Sequence, residues 1–117
     1  MSDAPPPAAP SARRGEVWWV GFDPTEGAEI KKTRPAVVVS ADALNRARST
    51  IVVVPLSTRP QPRPPIIVAT PSTGTRSVAV CDQIRAVDKR RLTHSEGRLS
   101  ATDMHAVAEG LRRILEL

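Results

Sequence analysis

Two short segments of this chain carry side chains suited to holding an anion. Lys31-Lys32-Thr33-Arg34 stands where a polar loop runs into an apolar stretch, and Pro35 follows directly. Proline fixes its own φ, so the Arg34 guanidinium starts from a stiff base. Ser57-Thr58-Arg59 stands where another apolar stretch gives way to a loop. A planar guanidinium can grip phosphate through two parallel hydrogen bonds, and hydroxyls add neutral donors beside it. If the two apolar stretches are neighbouring strands, both sets meet on one rim of a sheet. The structural alternative is that Arg34 pairs with Glu29 or Asp23 and only ties down the loop. Spacing alone leaves both uses open. The run Lys89-Arg90-Arg91 reads as a solvated turn.

Other chemistries find little support. The 117 residues include 2 His and 1 Cys. His94 and His105 both lie in the C-terminal quarter without a partner constellation, so they read as surface or helix-flank residues. Acid–base work on RNA by this pair is the lesser alternative. Cys81 ends an apolar run and reads as a small buried hydrophobe. A single Cys excludes an internal disulfide framework and a Cys-rich zinc site, and no metal or cofactor is expected. No Gly-rich phosphate loop of the G-x-x-x-x-G-K-[ST] or G-x-G-x-x-G type occurs. No apolar run approaches the roughly 20 residues that span a bilayer. The N-terminus lacks the apolar core of a secretory signal, so a cytoplasmic protein without membrane contact is expected. The 17 Lys+Arg against 12 Asp+Glu leave a net charge of +5. That balance permits a polyanionic partner without demanding one.

The length fits one domain. Four of the 12 prolines fall within the first ten residues, so Met1 to Ala12 is expected as a disordered Pro/Ala-rich extension and residues 13–117 as the domain. Glu16–Phe22, Ala36–Ser40, Thr50–Leu56, Ile66–Val68 and Ser77–Cys81 read as strands, and Gln83–Val87 extends the last or forms a sixth. Pro35 suits the first position of the second strand. The second and third strands are apolar without alternation, the mark of a strand covered on both faces. Asp42–Ala47 reads as a short helix or turn. Met104, Val107, Ala108, Leu111, Ile114 and Leu115 recur at helical spacing, with Ser100 and Asp103 placed as a capping box. The expected fold is mostly β (α+β): a small antiparallel barrel or twisted sheet closed by a C-terminal helix. Trp18 and Trp19 are adjacent in a strand and point to opposite faces. One belongs to the core; the other is a surface residue, a dimer contact or a platform for base stacking.

Four ordered segments then resemble the MazF/PemK toxins. They are Arg14–Glu29, Arg34–Ser40, Val54–Thr58, and Cys81–Arg85 followed by Val87–Leu92. The resemblance implies an SH3-like, PemK-like barrel with a C-terminal helix. It implies a homodimer that cuts single-stranded mRNA at short sequences without metal, leaving a 2′,3′-cyclic phosphate and a 5′-hydroxyl. It also implies inhibition by a cognate MazE-like antitoxin. The family's arginine falls on Arg34, its hydroxyl partner on Ser57 and its loop glutamate on Glu29. The first threonine of the family's VPxTT segment is Ser57 here and the second is Thr58, so both are catalytic candidates. Gly21 stands where the family often carries an acid. Phe22, Thr25, Gln83 and Arg85 lie on the segments that would flank the groove and read bases, while Lys31, Lys32 and Arg59 would hold phosphates. The general base stays open between the arginine and Glu29, since a guanidinium with a pKa above about 12 rarely deprotonates. A non-catalytic CcdB-like toxin and a plain SH3-like binding module remain as alternatives.

Overall fold

The structure is a computed structural model that describes residues 11–22 and 33–117. Its strands are β1 Glu16–Gly21, β2 Thr33–Val38, β3 Thr50–Ser57, β4 Ile67–Ala69, β5 Val78–Val80, β6 Arg85–Asp88 and β7 Leu92–Arg98. The helices are α1 Asp42–Ala47 and α2 Ala101–Leu115. Among the described residues, pairing runs β4-β5-β3-β2-β1-β7, all antiparallel, and β6 joins β3 beside β5. The expected barrel is therefore a seven-stranded sheet, and no ladder between β6 and β7 is needed to form it. The sheet curls enough for Val87 of β6 and Leu92 of β7 to share one apolar cluster.

The unbroken apolar runs of β2 and β3 serve two clusters at once. Val37, Val54 and Leu56 join the cluster beneath α2, with Cys81, Leu99 and Val107. Ala36, Val38, Ile51 and Val53 join the second, with Val20. Alternate side chains thus feed opposite faces, and both faces are covered. Ala12, assigned by sequence to the extension, is buried in the second cluster.

Pro55 would normally be misplaced in a central strand. Val52 directs its N–H to Ser40 and its carbonyl to Val39, both on the β2 side. Alternation turns the Pro55 nitrogen toward the other edge. There pairing passes from β6, which ends at Val53↔Arg85, to β5, which begins at Leu56↔Ala79. The missing donor falls in that gap.

β7 does not appear among the expected strands. Its sequence, LTHSEGR, is polar, and only Leu92 is buried. Among the described residues the strand is an edge, held by main-chain pairing with β1 rather than by an apolar face.

Helix α2 begins as expected: Ser100 Oγ accepts from the Asp103 N–H at 3.0 Å. The return bond is relayed. Ser100 N–H donates to Ser72 Oγ at 3.0 Å, and the Ser72 hydroxyl donates to the Asp103 carboxylate. The helix cap is thereby fastened to the 71–73 turn. Gly110 marks the close approach of α2 to the sheet. A Cβ there would meet the Pro65 carbonyl oxygen at 2.9 Å and Cys81 Sγ at 3.2 Å. The Cys81 thiol is pushed up to about 11, chiefly by burial and then by the charge of Asp82.

Candidate active site

The ladder between β2 and β3 ends at Ala36↔Pro55. Val38 directs its carbonyl to Gly15 on the β1 side. Alternation therefore turns the Pro35 nitrogen toward β3, where it has no hydrogen to donate. Beyond this point β3 pairs through Leu56 and Ser57 with β5 on its other edge. The two strands part, and a cleft of about 500 Å³ opens between them. Arg34 and Pro35 form one wall; Leu56, Ser57, Thr58 and Arg59 form the other. The two segments singled out by sequence do meet on one rim, because β2 and β3 are antiparallel neighbours.

Other elements complete the cleft. Val17 and Trp19 come from β1, Thr73 and Ser77 from the segment before β5, and Glu96 from β7. Arg34, Thr58, Arg59 and Glu96 are exposed and Ser57 is half-buried. Ser57 Oγ accepts from the Arg59 backbone N–H at 3.2 Å, which leaves the Ser57 proton available to a ligand. Ser77 is buried in a hydroxyl network: it receives bonds from Thr70 at 3.1 Å and from Thr73 at 2.7 Å. Among the described residues no hydrogen bond or ion pair engages the side chains of Arg34 or Glu96. The suggested partners Glu29 and Asp23 lie outside the described residues, as do Thr25, Lys31 and Lys32.

The two tryptophans separate as their adjacency requires. Trp18 packs on the second cluster and donates its indole N–H to Glu16 at 3.0 Å. Trp19 faces the cleft and is stacked with His94 of β7, centroids 5.9 Å apart and planes at 19°. His94 also contacts the Thr93 hydroxyl, which donates to the Trp19 carbonyl at 3.1 Å.

The remaining base-reading candidates lie elsewhere. The Arg85 guanidinium sits 5.1 Å from the centroid of Phe22, a cation–π contact between two residues singled out separately. Gln83 is exposed on the 81–83 turn. None of these three lines the cleft. Asp88 caps the turn that follows β6: its carboxylate accepts from the Arg90 side chain and backbone, which lowers its pKa to about 2. The run Lys89–Arg91 is thus a structured turn, and none of its residues lines the cleft. Among the described residues no three His, Cys, Asp or Glu side chains converge as a metal site would require.

Sequence reasoning overlooked Glu96, Thr73 and Ser77. Glu96 carried no signal, because its strand was not expected. The sequence marks Trp19 only as one of two adjacent tryptophans on opposite faces.

Fold and cleft together define a small, helix-capped β-domain with a cationic, hydroxyl-bearing cleft where two strands part. The chain belongs to the family described as PemK-like, MazF-like toxin of type II toxin–antitoxin systems, which it matches over residues 13–115. It is 37% identical over 114 residues to Endoribonuclease MazF9 of Mycobacterium tuberculosis, covering 90% of this chain and 97% of that one. It is 36% identical over 107 residues to Endoribonuclease PemK of Escherichia coli, covering 87% of this chain and 80% of that one. Among solved structures, a MazE–MazF complex from Deinococcus radiodurans superimposes with a TM-score of 0.78 at 26% identity, covering 92% and 97% of the two chains.

Proposed function

We propose that the cleft binds and cuts single-stranded RNA, using the RNA's own 2′-hydroxyl as nucleophile. The observation that carries this is the convergence of Arg34 and Ser57 where β2 and β3 part. The 2′ oxygen loses its proton to a base and attacks the adjacent phosphorus, the bond to the 5′ oxygen breaks, and the departing oxygen takes up a proton from Arg34 or water, so a 2′,3′-cyclic phosphate and a 5′-hydroxyl result. Charge gathers on the nonbridging oxygens as the new bond forms. Arg34 and the Ser57 hydroxyl are placed to bind those oxygens, with Thr58 as a second donor. One such donor is worth about 2.7–4 kcal/mol of barrier. The substrate supplies the nucleophile and Arg34 the positive charge, so the scheme needs no metal.

Two carboxylates are candidates for taking the 2′ proton: Glu29 in the loop and Glu96 at the cleft. Trp19 supplies an aromatic surface on which a splayed base can stack. Arg59, Lys31 and Lys32 hold flanking phosphates, while Phe22, Thr25, Gln83 and Arg85 contact bases farther along. The protein acts as a cytoplasmic homodimer, and a MazE-like antitoxin covers the groove. The Deinococcus MazE–MazF complex supports that last assignment.

Incubation of the purified protein with single-stranded RNA in EDTA, followed by analysis of the cut ends, tests the proposal. Cyclic phosphate and 5′-hydroxyl ends are expected. Intact RNA, or cleavage that requires added metal, would overturn it.

A further inference from the structure

A second cavity of about 180 Å³ lies beside the cleft, and Thr58 and Ser77 line both. A strand held at Arg34 can therefore reach it without leaving the protein surface. We propose that this cavity is a base-reading subsite in which Gln61 and Arg76 bind the edge of one purine of the RNA strand. The inference rests on the endoribonuclease reading of the cleft and adds to it the position of one specificity contact.

The lining suits a base better than a phosphate. Pro60 and Pro62 form one wall, and the exposed Ala69, with Val78 buried behind, supplies an apolar floor for a flat ring. The volume is well below the roughly 300 Å³ at which sites for whole small molecules begin, so it accommodates a base rather than a nucleotide. Gln61 offers an amide donor and acceptor side by side, and Arg76 a fork of donors. A purine edge presents paired groups of these kinds, N6 and N7 on adenine or O6 and N7 on guanine. Both side chains are exposed, and among the described residues neither has a hydrogen-bond or ion-pair partner.

The walls are held in place before any ligand arrives. Arg76 lies within a turn that the Ser77 N–H closes on the Gly74 carbonyl at 2.9 Å, and the Thr70–Thr73–Ser77 hydroxyls lock its base. Gln61 lies between two prolines with restricted φ. A backbone fixed in this way limits the ordering cost to the Gln61 and Arg76 side chains themselves.

Mapping every cut site of the wild-type protein and of the Gln61→Ala/Arg76→Ala variant on one long transcript tests this, with thermal midpoints confirming that both fold. The wild type should require a purine at one position of its site. The variant should lose that requirement by about 10- to 100-fold while keeping its preferences at the other positions. Wild-type cleavage with the same preferences in the variant, or with a uniform loss at all sites, overturns the subsite alone. A wild-type protein that cuts no RNA overturns the endoribonuclease reading and the subsite with it.

Discussion

The backbone N–H of Arg59 donates a 3.2 Å hydrogen bond to Oγ of Ser57. The bond occupies one lone pair and leaves the hydroxyl proton for a ligand in the cleft. Thr58, next along the chain, is exposed, and among the described residues its hydroxyl has no partner. Ser57 should therefore be the stronger phosphate donor. Ser57→Ala is expected to slow single-turnover RNA cleavage by about 10²–10³-fold. Thr58→Ala should slow it less than about tenfold, the scale of one modest hydrogen bond. Ser57→Thr keeps the hydroxyl and should retain most of the rate. Equal losses for both alanine variants would contradict the assignment.

Trp19 lines the cleft, half-buried, and is stacked with His94. Base stacking is worth about 1–3 kcal/mol per base, so Trp19→Ala should weaken RNA binding by roughly 5- to 150-fold. Trp19→Phe should recover much of the loss. Titration of fluorescein-labelled RNA measures both, and unchanged affinity in Trp19→Ala would remove the platform from the account.

Gly110→Ala separates helix propensity from packing. Alanine favours a helix by about 1 kcal/mol over glycine. Here its Cβ would stand 2.9 Å from the Pro65 carbonyl oxygen, a backbone atom that cannot rotate away. Overpacking of this kind costs about 1–3 kcal/mol. The variant should melt several degrees below the wild type, at roughly 4–8 °C per kcal/mol. A higher melting temperature would show that the helix can shift.

The parts of the molecule most readable from sequence are those that bury apolar side chains. Strands β1 to β3 and helix α2 announce themselves by valine runs or helical spacing. The meeting of Arg34 with Ser57 followed from two strand ends, once those strands were neighbours. Leu92–Arg98 carries no such mark, since pairing with β1 fixes it through the main chain. Glu96 went unseen for that reason. The Ser72 relay beneath Ser100 and Asp103 was equally hidden, because it joins residues 28 and 31 positions apart. Arg85 and Phe22 stand on separate motif segments 63 residues apart; their mutual contact is a property of the fold alone.

Cys81 gives a pH dependence of definite sign. Its thiol is raised from 9.0 to about 11 in the folded protein, so it stays protonated where the unfolded chain ionises. Its contribution to stability is complete below pH 9 and declines between pH 9 and 11. Urea midpoints measured across that range should fall for the wild type and fall less for Cys81→Ala. Iodoacetamide at pH 7.5 should label the unfolded chain and spare the folded one. Rapid labelling of the folded protein would contradict the burial of this thiol.

The central claim is that Arg34 neutralises charge on the phosphate being cut. Its most direct test is the single-turnover cleavage rate of Arg34→Ala on a single-stranded RNA in EDTA, compared with wild type, with thermal midpoints taken in parallel. The account predicts a rate lower by at least about 10²-fold with the midpoint unchanged within a few degrees. A folded Arg34→Ala protein that cuts at the wild-type rate would contradict it.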